Sequence, residues 1–103
     1  MPHATPLTED QRRDLRSQHP DWAPVEGRDA LQRRFQGKDF TQAFAFMAAV
    51  ALEAEKLNHH PEWSNVYKTV DMTLTTHDTG GLSDLDQRLI AKVDQLADRL
   101  GMA

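Results

Sequence analysis

The sequence predicts an α+β fold of two layers, in which helices cover the apolar face of a sheet in the order α-β-β-α-β-β-α. Three observations predict it. Apolar residues recur at helical spacing over two long stretches, 40–57 and 83–100. They alternate with polar ones over 68–76, as in a strand with one buried face. Proline, glycine and capping residues stand between these segments.

Residues 1–7 contain Pro2 and Pro6 without periodicity and read as a loose tail. Thr8 and Gln11 match a capping box, so a short polar helix is expected over Glu9–Ser17, stopped by Pro20. Trp22–Glu26 reads as a first strand, Gly27 as a turn, and Ala30–Gln36 as a second strand with Leu31 and Phe35 on one face. Asp39 caps a helix expected over Phe40–Leu57, with Gln42 at its third position. Its stripe is Ala43, Met47, Val50, Ala54 and Leu57, widened by Phe40, Phe44 and Ala51, and Met47 and the phenylalanines are assigned to the core. Glu62–Val66 and Lys68–Thr76 are the third and fourth strands, the latter with Val70, Met72 and Leu74 facing inward. Asp78–Gly81 forms a turn. Ser83 and Asp86 cap the last helix, whose stripe is Leu89, Val93, Leu96 and Leu100 beside Ile90 and Ala97, and Gly101 ends it.

A chain of 103 residues suits one domain over 1–103. A chain this short buries only about two-thirds of its unfolded surface, so a partner subunit is expected. The apolar share, 39%, and the charged share, 27%, belong to a globular protein. Twelve basic and sixteen acidic residues give a net charge of −4, which disfavours direct binding to nucleic acid. The one basic cluster, Arg28, Arg33 and Arg34, is too small to reverse this. Cysteine is absent, so disulfides and thiolate zinc sites are excluded. The first ten residues do not form a signal peptide, and the longest apolar stretch, Ala43–Leu52, is too short for a bilayer. A soluble, cytoplasmic protein with no membrane association is expected.

The segment Glu55-Lys56-Leu57-Asn58-His59-His60-Pro61-Glu62-Trp63 lies where a long helix stops. Glu55 and His59 are four residues apart and can share a face. A third histidine, His77, follows the fourth strand. Histidine is the side chain best suited to exchange protons near neutral pH, and element ends are where functional groups gather. Taken together, His59, His60 and His77 suggest a proton-transfer site. His3 and His19 read as exposed or structural, Glu55 reads equally as a solvated carboxylate, and Trp22 and Trp63 read as packing residues. A zinc site is the rival, but adjacent histidines make a poor tripod, and no His-x-x-x-His pair lies on a helix. No metal is therefore assigned. No serine elbow or phosphate loop is present.

The blocks Glu-Gly-Arg-Asp-Ala (26–30), Lys-Asp-Phe (38–40), Ala-Phe-Ala-Phe-Met (43–47) and Val-Ala-Leu (50–52) form a recognisable series. It continues with Ala-Glu-Lys-Leu-Asn-His-His-Pro-Glu-Trp (54–63), Asn-Val-Tyr (65–67), Thr-Leu-Thr-Thr-His (73–77) and Gly-Leu-Ser (81–83). Through them the sequence resembles the pterin-4a-carbinolamine dehydratases, also known as dimerisation cofactors of a hepatocyte homeodomain factor. The likeness runs from about Trp22 to Ile90. It implies four antiparallel strands with helices on one face, a homodimer or homotetramer, and a link to aromatic amino acid hydroxylases. It implies dehydration of a 4a-hydroxytetrahydropterin to the quinonoid dihydropterin, in tetrahydropterin recycling, with no cofactor.

The same resemblance places the site histidines on His59, His60 and His77, the supporting acid on Glu55 and a pocket tryptophan on Trp22. Substrate contacts fall on Asn58, His59, His60, Thr75, Thr76, His77 and Asp78. Beyond the resemblance, we assign the acid and base roles to His60 and His77, with His59 orienting the ring and sharing proton transfer. Two positions depart from the mammalian pattern. Asn58 replaces an aspartate, and Leu85 replaces an arginine, for which Arg88 one turn on is a candidate substitute. A regulatory partner of a transcription factor or hydroxylase is the competing role.

Overall fold

The computed structural model describes residues 3–103. Helix α1 (Glu9–Gln18) is followed by strands β1 (Ala23–Pro24) and β2 (Leu31–Gln36). Helix α2 (Phe40–Leu57), strands β3 (Glu62–Val66) and β4 (Thr69–Leu74), and helix α3 (Asp84–Leu100) complete the order. The sheet is antiparallel throughout, with strands in the order β1-β2-β4-β3.

The helices begin where the sequence indicates. Thr8 with Gln11, and Ser83 with Asp86, form reciprocal capping boxes, and the Asp39 side chain accepts from the Gln42 amide. Gly101 takes the left-handed conformation (φ 74°) that ends α3. Val70, Met72 and Leu74 of β4 are buried, as are Leu31 and Phe35 of β2. They form one core with Ala43, Phe46 and Val50 of α2 and Leu89, Ile90, Val93 and Ala97 of α3.

Four expectations are corrected. Strand β1 shrinks to two residues, because Pro24 has no N–H for a ladder and the Trp22 amide bonds back to the His19 carbonyl (3.1 Å). Strand β4 ends at Leu74, since Thr75 turns its hydroxyl to the Asp29 carbonyl (2.8 Å). Phe40 and Phe44 are exposed, 46% and 56%, while Phe46 is fully buried. At 100° per residue Phe46 shares the face of Ala43, Val50 and Ala54, and Phe44 is turned away from it. Lastly, Thr5–Leu7 are not loose: Thr5 and Asp84 are joined by two hydrogen bonds, and the buried Leu7 donates to the Leu82 carbonyl (3.0 Å). The part of the expected tail at residues 1 and 2 lies outside the described residues.

One charge sits on the inner face of β2. Arg33 lies over the Phe35 ring (4.3 Å) and bonds to Asp94 (2.8 Å). Asp94 also accepts from Trp22 Nε1 (2.8 Å) and contacts His19 Nδ1 (2.7 Å), which latches α1 and β1 onto α3. No helix among the described residues is long and apolar enough to cross a membrane.

Candidate active site

Helix α2 ends in a sharp change of direction. Asn58 adopts a left-handed conformation (φ 50°, ψ 42°), one that asparagine tolerates better than most residues. The His59 amide closes the turn on the Ala54 carbonyl (3.1 Å). Pro61 then leads directly into β3. This short path turns His59 inward, 8% exposed, and leaves the His60 side chain 55% exposed. His77 opens a single turn of 3-10 helix (His77–Thr79) after β4.

The three histidines meet. His59, His60 and His77 line one cleft of about 310 Å³, together with Asn58, Thr76 and Asp78. Ala4 and Leu85 supply its apolar wall. That volume lies at the lower end of the ~300–1,000 Å³ usual for small-molecule sites.

Each imidazole has a carboxylate beside it. His59 Nε2 lies 2.5 Å from Asp86 Oδ1, and His60 Nε2 lies 2.5 Å from Glu55 Oε1. His77 Nε2 stands 3.6 Å from Glu62 Oε2. Asp86 has no exposed surface, and its other oxygen accepts from the Ser83 amide (2.9 Å) and the Thr76 hydroxyl (2.7 Å). Burying a carboxylate is tolerated when donors surround it in this way. Glu62 is gripped at both oxygens by Arg28, and those hydrogen bonds hold its carboxyl below the usual glutamate range.

The remaining positions separate. Glu55 reaches the site only through His60. Thr76 is a buried strut of the wall, bonded to Ser83 and Asp86. Thr75 lines a neighbouring cleft with Gly27, Arg28, Asp29 and His77. Trp22 belongs to the core: it is 2% exposed, packs edge-on against Phe35 and bonds to Asp94, and it is not on the wall of the histidine cleft. Arg88 faces a different surface, with Glu53, Lys56 and Lys92, so it does not take the place of an arginine at Leu85. Asp86 is the group that sequence reasoning missed, having been read only as a helix cap. Its signal was an acid on the apolar stripe of α3, three and four residues before Leu89 and Ile90. Among the described residues, no three histidine, cysteine or acidic side chains are arranged to hold a metal ion.

Residues 5–96 match the family model for pterin 4 alpha carbinolamine dehydratase. The chain belongs to this dehydratase family. A protein of Dinoroseobacter shibae, named "Putative pterin-4-alpha-carbinolamine dehydratase", is 66% identical over 76 residues, 74% of this chain and 78% of that protein. One of the same name from Rhizorhabdus wittichii is 53% identical over 93 residues, 90% of this chain and 96% of the other. The crystal structure of a transcriptional coactivator/pterin dehydratase from Brucella melitensis superposes with a TM-score of 0.86 at 45% identity. That superposition covers 90% of this chain and 99% of the Brucella chain. The four-stranded antiparallel α+β architecture is therefore the fold of the pterin dehydratases, as the sequence resemblance implied.

Proposed function

We propose that this dehydratase-family chain, acting as a single domain over 1–103, removes water from a 4a-hydroxytetrahydropterin by histidine acid–base chemistry. The observation that carries the reading is the convergence of His59, His60 and His77 on one cleft, each with a carboxylate at Nε2. A carboxylate there keeps the proton on Nε2 and leaves Nδ1 to work on a ligand.

In the reaction the C4a–O bond breaks, and its electron pair leaves with the oxygen, which takes a proton from an acid. The N5 lone pair forms the new C=N bond, and a base takes the N5 proton. The products are quinonoid dihydropterin and water, and no cofactor enters. His60 and His77 serve as acid and base, and the buried His59 orients the ring. Asn58 and Asp78, which line the cleft, bond the polar edge of the pterin, with Thr75 beside them in the adjoining cleft. Thr76, its hydroxyl held by Ser83 and Asp86, supports the wall, and Leu85 offers an apolar contact in place of an arginine. Trp22 contributes through packing. The setting is tetrahydropterin recycling beside an aromatic amino acid hydroxylase, in the cytoplasm.

A homodimer or homotetramer fits the surface, because Phe40, Phe44 and Leu52 of α2 are large apolar residues left exposed. The second reading, a regulatory partner of a transcription factor or hydroxylase, draws support from the coactivator role in the name of the Brucella protein. Stopped-flow dehydration of 4a-hydroxytetrahydropterin separates the two. The enzyme reading expects acceleration that falls by about 100-fold or more in H60A and in H77A, the usual scale of acid–base help. Binding of the pterin without acceleration would leave the regulatory role.

A further inference from the structure

Through its last three residues the turn Glu26-Gly27-Arg28-Asp29 lines, with His77, the cleft beside the three-histidine one, and it is firmly held. Gly27 has φ +79°, a conformation that glycine adopts without strain. The Arg28 amide bonds to the Val25 carbonyl (3.4 Å). Asp29 is fastened from three sides: Arg12 Nη2 (2.6 Å), the Leu82 amide (3.0 Å), and the Thr75 hydroxyl on its carbonyl oxygen (2.8 Å). At Gly81 the chain passes so close that an added Cβ would lie 2.1 Å from the Asp29 carboxylate.

From this fixed base Arg28 reaches across to the first residue of β3. Its two terminal nitrogens meet Glu62 Oε1 at 2.9 Å and Oε2 at 2.8 Å, a two-point grip that sets the plane of the carboxylate. Both partners are about two-fifths exposed, 42% and 43%, so the pair adds little to stability. Its consequence is directional. Glu62 Oε2 is also the carboxylate oxygen beside His77 Nε2, at 3.6 Å. The His77 side chain is 84% exposed, so packing does little to hold its ring.

We propose that Glu62, aimed by Arg28, is a positioning residue that sets the ring orientation and tautomer of His77. The inference rests on the reading of His77 as a proton-transfer group. Each of the three imidazoles then has its own orienting acid: Asp86 for His59, Glu55 for His60 and Glu62 for His77. Bound to Arg28, Glu62 keeps its negative charge 3.6 Å from Nε2, which favours the tautomer with the proton on that nitrogen and leaves the Nδ1 lone pair for the substrate.

The test is a stopped-flow comparison of wild type, E62Q, R28A, H77A and the H77A/E62Q double variant, with melting temperatures checked for each. Because E62Q acts only through His77, kcat should fall about three- to tenfold with KM little changed, and the pH–rate profile should move. R28A should give a similar loss while Glu62 itself is intact, which keeps the proposal testable if E62Q folds poorly. In the H77A background E62Q should cause no further loss. Long-range nitrogen spectra should show His77 with its proton on Nε2 in wild type and a tautomer mixture in E62Q. Wild-type kcat in E62Q and R28A, or a full additional loss in the double variant, overturns the proposal while H77A still reports on His77 itself. Wild-type kcat in H77A removes the underlying role of His77, and the proposal with it.

Discussion

The imidazole of His59 and the carboxylate of Asp86 lie 2.5 Å apart although 27 residues separate them in sequence. Asp86 is at once the third residue of the α3 capping box, the acceptor for the Thr76 hydroxyl and the anchor of a cleft histidine. Helix start, strand end and candidate site therefore share one buried group.

Asp86→Ala should be severely destabilising. It strands the Ser83 amide, the Thr76 hydroxyl and His59 Nε2 at once. Breaking such a buried charged network costs about 3–5 kcal/mol. At about 4–8 °C per kcal/mol for a domain of this size, the loss in Tm should exceed roughly 12 °C. Calorimetry measures it, and an unchanged Tm would mean that the three donors find other partners.

Glu55→Ala should behave oppositely. The Glu55–His60 pair is largely exposed, 75% and 55%, so stability should change by no more than about 1 kcal/mol. Turnover should nevertheless drop several-fold as His60 loses its orienting acid. Parallel urea melts and stopped-flow traces decide this, and equal losses in both would place Glu55 in the scaffold.

Acid should weaken the fold through Asp29 and Glu62. The hydrogen bond from Arg12 holds the Asp29 carboxyl below its ordinary value, and Arg28 does the same for Glu62. Their contribution is fully present above the unfolded values near 4 and is lost as pH falls through the lower folded ones. Tm followed from pH 6 downward should therefore decline through the acid range, and less steeply in D29N. The raised arginine values of Arg12 and Arg28 add nothing there, since both remain charged.

Two phenylalanines of α2 should separate folding from assembly. Phe46→Ala removes a fully buried ring and should cost about 3–5 kcal/mol. Phe44→Glu alters an exposed one, so the helical circular dichroism should persist while sedimentation equilibrium shifts to a smaller species. A wild type that sediments as a monomer would refute the oligomer.

Much of this was legible in the letters. The start of α2 and both ends of α3 were marked by Asp39, Ser83 and Gly101, because caps act within a turn and need no tertiary information. The inward set of β4 was legible because a period of two leaves only two choices. The histidines were legible as a group, since His59 and His60 flank a helix end and His77 a strand end. Three things were not. Asp86 meets His59 only through tertiary packing, and its cap role offered a sufficient local explanation. The phase of α2 was ambiguous because Phe40, Phe44 and Phe46 spread aromatics over more than one face. The clasp of Thr5–Leu7 on Leu82–Asp84 joins positions as much as 79 residues apart, which no local pattern encodes.

The cleft takes its walls from Ala4, from the turn at 58–60, from 76–78 and from Leu85. A molecule seated there clasps segments that only the finished fold brings side by side. Occupancy should therefore protect the amides of all these segments together, slowing their deuterium uptake in a single coordinated step instead of quieting one loop.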